Sequence, residues 1–313
     1  MISNLGKPAI MAALFLLAAF AALPIVGLSE YWIYTFTIGF YYALLAASWS
    51  LLVGFIGRIS FAQTAMSGLG AYASVLIAQH FGLPIVVGLL SGVLVAAILG
   101  LGIGWLTLRL HGAYLGLTTI AFAEILRIAI TAEHGLTKGS LGLPAPALLL
   151  EGTRTEYYYL FLSVTVLSLL VMALLLRSRI GLFFQAIRED EDGAASLGVR
   201  VTLWKIMAFS ISSAFAGLAG GLYAHFIQLI TPSMMSLQEM GFVLAMAVIG
   251  GFHNILFAAL GGVGLQFLLE LLREIGEWRL VVFGAVAIIM LRFAPNGVFG
   301  LIANMLFDSG KKK

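Results

Sequence analysis

The sequence predicts an all-α integral membrane protein, a polytopic bundle of about ten transmembrane helices, and three observations carry that expectation. First, 61% of the 313 residues are hydrophobic and only 10% are charged, whereas soluble chains run near 45–50% apolar and about 25% charged. Second, the apolar residues fall in blocks of about 20, the length a helix needs to cross a hydrocarbon core roughly 30 Å thick. Blocks such as Ile85–Leu106 and Leu160–Leu176 are apolar on every face, which excludes the alternating segments of a membrane β-barrel. Third, the chain holds 36 glycines, with small-xxx-small spacings at Gly100/Gly104, Gly112/Gly116 and Gly217/Gly221. Such spacings let helix backbones approach where lipid removes the hydrophobic driving force. The absence of cysteine excludes disulfides, thiolate metal sites and a cysteine nucleophile.

Read between charged or Gly/Pro punctuation, the spans fall near 9–28, 33–53, 59–80, 84–108, 112–131, 157–176, 203–229, 237–251, 256–272 and 279–294. The first follows Lys7 and contains Ala19-Phe20-Ala21, a cleavage-like pattern, but its length favours a retained helix over a signal peptide. The block at 237–251 is short for a span and is expected to be tilted, broken or re-entrant. Five spans plus five allow an inverted repeat, with faint similarity between Gly68–Ala78 and Gly217–Gln228.

Orientation follows from the 17 Lys and Arg residues. With the N-terminus inside, Lys7, Arg58, Arg109, Arg177, Arg179, Arg188, Arg200, Lys205, Arg292 and Lys311 to Lys313 fall on the cytoplasmic side. Lys138, Arg154, Arg273 and Arg279 fall outside. That asymmetry obeys the positive-inside rule and puts both termini in the cytoplasm, with residues 132–156 facing outward. The basic excess is thereby explained by membrane orientation, with no long basic patch for nucleic acid.

One cytoplasmic connection is long. Arg177 to Lys205 reads RSRIGLFFQAIREDEDGAASLGVRVTLWK. Apolar Phe183, Phe184, Ile187, Ala194 and Leu197, the i,i+4 pair Arg188/Asp192 and a terminating Gly198 predict a short amphipathic helix over 182–198. The run Glu189, Asp190, Glu191, Asp192 disfavours a lipid surface. A lever that docks in a groove of a soluble partner suits the mixed charge and the tether at both ends. On that reading Phe184, Ile187 and Leu197 face the partner, and reversing Glu189 and Glu191 spares the fold while abolishing association.

This segment closely resembles the cytoplasmic coupling motif of branched-chain amino-acid ABC transporter permeases. The matching residues are Arg179, Gly181, Ala186, Ile187, Arg188, Glu189, Asp190, Glu191, Ala194, Ala195, Leu197 and Gly198. Similar stretches begin at Leu51, Arg109 and Ser213, and APNGVFGL from Ala294 resembles the family's terminal Pro-x-Gly motif, so the resemblance covers residues 35–301. Departures are Gly57-Arg58 and Ala62-Gln63, where the family has Gly-Gln and Gly-His, and Phe252-His253-Asn254 in place of a Gly-rich turn.

The resemblance implies a bundle like that of type II ABC importers, a single permease domain over 1–313 with its coupling segment at 177–205, in a bacterial-type inner membrane. It also implies a second permease, two ATPase subunits and an extracytoplasmic solute-binding protein. The chain itself has no G-x-x-x-x-G-K-[ST] phosphate cradle, so ATP and magnesium are expected on the ATPase subunits, with no cofactor here and no enzymatic activity of its own.

For the translocation pathway the candidates are the intramembrane polar residues Ser60, Gln63, Thr64, Tyr72, Thr118, Thr119 and Gln228, against the alternative that each satisfies a neighbouring helix. Glu124 and Arg127, at i,i+3, are expected to form an ion pair in the outer half of their span. His80, His111, His134, His225 and His253 lack metal-ligand spacing and suit interfacial or packing roles. The leading function is import of branched-chain or other neutral amino acids, with urea or short amides as alternative cargo. An ion-coupled secondary transporter or an intramembrane enzyme would not require the coupling segment.

Overall fold

The computed structural model describes residues 7–149, 152–276, 278–293 and 297–300. In chain order the helices are α1 (Lys7–Ala22), α2 (Glu30–Ser50), α3 (Gln63–Phe81), α4 (Ile85–Leu106), α5 (Gly112–Ala132), α6 (Arg154–Arg177), α7 (Arg179–Glu189), α8 (Glu191–Ser196), α9 (Val201–Ile227), α10 (Leu237–Gly250), α11 (Ile255–Leu271) and α12 (Trp278–Phe293). A π-helical turn, Leu51–Ile56, extends α2. Two short strands, β1 (Leu143–Pro144) and β2 (Leu229–Ile230), pair antiparallel.

Among the described residues, six helical segments are long and apolar enough to cross a membrane: Glu30–Ile56, Ile85–Leu106, Gly112–Ala132, Arg154–Arg177, Val201–Ile227 and Ile255–Ile275. The other expected spans also form helices, but α1, α10 and α12, at 16, 14 and 16 residues, are short. The expected third span starts later than 59 because Gly57 adopts φ +74° and the chain turns before Gln63. The C-terminal Lys311 to Lys313 and Ala294 to Asn296 of the terminal motif lie outside the described residues.

The centre is a glycine seam. α4 packs along α9, and α3 lies against both. A Cβ on Gly70 would stand 2.3 Å from Gly217 Cα, one on Gly92 2.3 Å from the Gly70 carbonyl oxygen, and one on Gly220 1.8 Å from the Ser67 carbonyl oxygen. Gly217 and Gly100, both flagged by their spacing, sit on this seam against Ala96 and Ser213. Backbones touch here in a way that only glycine allows, which gains dispersion and Cα–H contacts in a medium without hydrophobic drive.

The two segments with faint mutual similarity are therefore packing partners on α3 and α9, and are not equivalent members of a repeat. The equivalence lies elsewhere. α11 packs along α2 as α4 packs along α9, and α10 lies against α2 and α11 as α3 lies against α9 and α4. α2 starts where α11 ends, with Tyr31 donating to Glu270, and α9 starts where α4 ends, with Gly104 over Ile206. α2–α4 and α9–α11 thus form two intertwined units that run in opposite senses, the arrangement of an inverted repeat.

Chain tracing puts the α7–α8 segment at one end of the bundle together with the start of α1 and the end of α12. Tyr158 and Tyr159 at the start of α6 donate to the Phe20 and Ala21 carbonyls, which fixes the end of α1 at the opposite face. The β1–β2 pair lies at that opposite face too, where Gln79 donates to the Pro144 carbonyl at 2.7 Å.

Candidate functional site

The segment expected as one helix is two. Asp190 takes an extended conformation, φ −155° and ψ 110°, and its carboxylate accepts from the Asp192 amide to cap α8. Aspartate has low propensity in the middle of a helix because its short carboxylate bonds to nearby backbone, and it favours such a cap. Gly198, at φ +85°, ends α8 as expected, with its amide donating to Ala195 and that of Val199 to Ala194.

α7 and α8 lie folded onto the bundle. Phe184, Ile187 and Ala194 are buried in this chain, with Phe184 fully enclosed, so neither Phe184 nor Ile187 is available to a partner as the sequence suggests. Trp204 on α9 covers them, its ring 5.0 Å from Phe183 and 6.3 Å from Phe184. Gly181 is buried where α7 folds back on α6, and a Cβ there would lie 2.0 Å from the Leu176 carbonyl oxygen. Arg179, Leu182, Arg188, Glu189, Asp190, Asp192, Ala195, Leu197 and Gly198 form the outer face, and Ala186 is half-buried.

Glu191 holds the segment in place, and this corrects its assignment as a partner-facing charge. Its carboxylate accepts from Arg58 Nη2 at 2.5 Å and from Lys205 Nζ. Arg58 and Lys205 are themselves buried. Burial pushes the Glu191 carboxyl up, but the Lys205 hydrogen bond and the charges of Lys205, Arg58 and His111 outweigh it and hold the group below the usual carboxylate value. Arg58 also donates to the Leu110 carbonyl at 2.8 Å. One carboxylate therefore ties α8 to the α2–α3 turn, the α4–α5 turn and the first turn of α9.

Arg188 makes a second attachment. It donates to the Gly54 carbonyl in the π-helical turn, and its side chain crosses Gly57, where a Cβ would stand 3.0 Å from Arg188 Cγ. Its other nitrogen pairs with Glu189 at 2.7 Å. The departure Phe252-His253-Asn254 belongs to the same end. The Phe252 carbonyl accepts from Ser50 Oγ at 2.6 Å, Asn254 caps α11, and burial followed by the Arg188 charge lowers His253, so it is neutral at pH 7. Between these attachments lies a cleft of about 270 Å³, lined by Arg58, His111, Leu115, Ile187, Arg188 and Glu191.

Of the intramembrane polar candidates, Gln63 bonds to neighbouring helices, and most of the others bond to local or turn backbone. Gln63 Nε2 donates to Ser48 Oγ at 2.6 Å and to Ser212 Oγ at 3.1 Å. Ser60 Oγ accepts from the Ala62 amide, Thr119 accepts from the Phe61 amide at 3.0 Å, and Tyr72 reaches the Ile230 carbonyl at 3.5 Å. Thr118 donates within its own helix. Gln228 is exposed and, at φ +62°, terminates α9 while its carbonyl accepts from Ala145. Thr64 Oγ1 is buried without a partner. Glu124 and Arg127 pair as expected, with Arg127 Nε donating at 3.0 and 3.1 Å. His225 is a packing residue, fully buried between Ser74 Oγ at 2.9 Å and the Pro146 carbonyl at 2.8 Å.

Glu239 is a functional candidate that emerges only in the fold: it is half-buried at the start of α10, and its carboxylate accepts from Tyr42 at 2.8 Å. The signal was available as an acid near the start of an apolar block with no basic residue within a turn of it.

Comparison with known proteins agrees with the resemblance. The family model described as the branched-chain amino acid transport system / permease component matches residues 31–291. The high-affinity branched-chain amino acid transport system permease protein LivM of Salmonella typhimurium is 32% identical over 301 residues, covering 87% of this chain and 71% of that protein. LivM of Escherichia coli K12 is 31% identical, covering 84% and 68%. The permease protein LivH of Escherichia coli K12 is 28% identical, covering 84% and 92%. No solved structure matches. With five-sixths of its length matched by one family model and the same family reached through its motifs, the chain belongs to the permease components of branched-chain amino acid transport systems.

Proposed function

We propose that the chain is one transmembrane subunit of an ATP-driven importer for branched-chain or related neutral amino acids, with Arg179–Gly198 as the segment that receives force from an ATPase. The observation that carries this reading is the attachment of α8 through Glu191 to Arg58 and Lys205. A surface loop with no task has no reason to be anchored to three helix turns through two buried cations. Anchored in this way, displacement of the exposed face of α7–α8 is passed to α2, α3, α5 and α9 instead of being absorbed locally. The partners are a second permease, for which the coexistence of LivM and LivH relatives gives a precedent, two ATPases and an extracytoplasmic binding protein. About ten spans with both ends in the cytoplasm complete the arrangement. An ion-coupled transporter is the competing reading, and it gives the anchored segment nothing to do.

In proteoliposomes holding the full set of subunits, labelled leucine is expected to accumulate only with ATP on the side of α7–α8. Concentrative uptake by this chain alone under a proton or sodium gradient would overturn the proposal. For orientation, Ser140 is exposed at the opposite end, and a cysteine placed there should react with an impermeant maleimide added to whole cells. Reaction from the cytoplasmic side alone would reverse the topology.

A further inference from the structure

We infer that Glu239, with Tyr42 and the Tyr41 and Tyr223 rings, forms a site for the ammonium group of an amino-acid zwitterion inside the bundle; this rests on the importer reading above. Carboxylates placed among apolar helices are costly and normally find a cation. Glu124 faces Arg127 and Glu270 faces Arg273, each at i,i+3. Glu239 breaks the pattern, because among the described residues no Lys, Arg or His lies within ion-pair distance of it.

Its depth excludes a surface role. Tyr42 lies twelve residues into α2, which begins at Glu30, so at about 1.5 Å per residue the Tyr42–Glu239 bond sits about 18 Å along a core roughly 30 Å thick. The bond from Tyr42 engages Oε2. Oε1 receives no bond from the described side chains and is not fully enclosed, so it remains open to a ligand.

The neighbouring rings, with Tyr42 and Tyr223 half-buried and Tyr41 buried, suit an organic cation. Tyr41 stacks on Tyr223 with centroids 4.4 Å apart and meets Tyr42 edge-on at 5.0 Å. Aromatic faces attract an ammonium, the more so when it is desolvated, and a carboxylate already oriented by Tyr42 completes the ion pair without reorganisation. A neutral amino acid entering from the β1–β2 face carries one such ammonium. The site therefore selects for the α-ammonium group, whereas the aliphatic side chain is read by other surfaces.

The test uses the complete transport complex in proteoliposomes, with uptake expressed per folded complex. Glu239→Gln keeps an acceptor for Tyr42 but removes the charge, and it is expected to lower leucine uptake about tenfold or more. Glu239→Asp, which retains the charge, is expected to restore much of it. A second measurement needs no variant: 3-methylbutylammonium should raise the unfolding temperature of the purified wild-type complex, whereas 4-methylpentanoate should not. Wild-type uptake in Glu239→Gln, or equal protection by amine and acid, would overturn the ammonium site while leaving the importer intact. Absence of leucine uptake by the wild-type complex would instead count against the importer reading.

Discussion

Replacing Glu191 with lysine is expected to release α7–α8 from the bundle and to abolish ATP-driven uptake. The substitution puts three cations where one carboxylate now joins Arg58 and Lys205. Removing one member of a buried ion pair costs about 3–5 kcal/mol. Here the Glu191 side chain is 35% exposed, which screens the interaction, and about 2–3 kcal/mol is the expected loss of stability. Limited proteolysis should then cut the 179–198 segment, and the unfolding temperature should fall. Glu189→Lys supplies the contrast, because Glu189 is exposed and pairs only with its neighbour Arg188. That variant should keep wild-type stability and lose ATPase association. Equal stability in the two variants would show that Glu191 does not hold the segment.

The same attachment sets an acid limit. Glu191 sits below the ordinary carboxylate value of 4.5, so its contribution is present above that pH and is lost as pH falls through its own lower value. Glu191→Gln should remove this acid-dependent component from the stability profile.

Gly220→Ala is the second substitution with a large expected effect. An alanine Cβ at 1.8 Å from the Ser67 carbonyl oxygen meets backbone, which cannot rotate away. Overpacking of this kind costs about 1–3 kcal/mol or more, and the purified subunit should unfold at a markedly lower temperature. Gly264→Ala on α11 is the control, since its Cβ would meet nothing within 4 Å and alanine is the better helix former by about 1 kcal/mol. Similar stability for both variants would remove the glycine seam from the account.

How much of this was legible in the sequence depended on the range of the signal. Apolar block length placed α4, α5, α9 and α11 to within a few residues, because helix length in lipid is set locally by the core thickness. The spacings Gly100/Gly104 and Gly217/Gly221 mark the seam, whereas Gly112 meets nothing within 4 Å and Gly116 only Phe61; none tells which helices share the seam, since a small-xxx-small pattern names one face and not its partner. The acidic run by itself predicts one helix and a docking charge. Asp190 is its own cap and Glu191 is claimed by Arg58, 133 residues earlier in the chain, a pairing that no periodicity encodes. For Glu239 the carboxylate was visible, while its approach to Tyr42 across 197 residues was not.

The seam between α3, α4 and α9 is closed largely by backbone and small side chains, and that restricts how the protein can change shape. Ordinary helix interfaces slide by small rotamer adjustments that keep the contact filled. Gly70 against Gly217 and Gly220 against Ser67 offer no rotamers to adjust. Prising α3 from α9 would uncover backbone at membrane depth with nothing flexible to cover it. These three helices therefore turn as one block. Conformational change is left to the places where backbone regularity is already broken, the π-helical turn at Leu51–Ile56 and Gly57 beyond it, beside the Gly54 carbonyl that Arg188 grips.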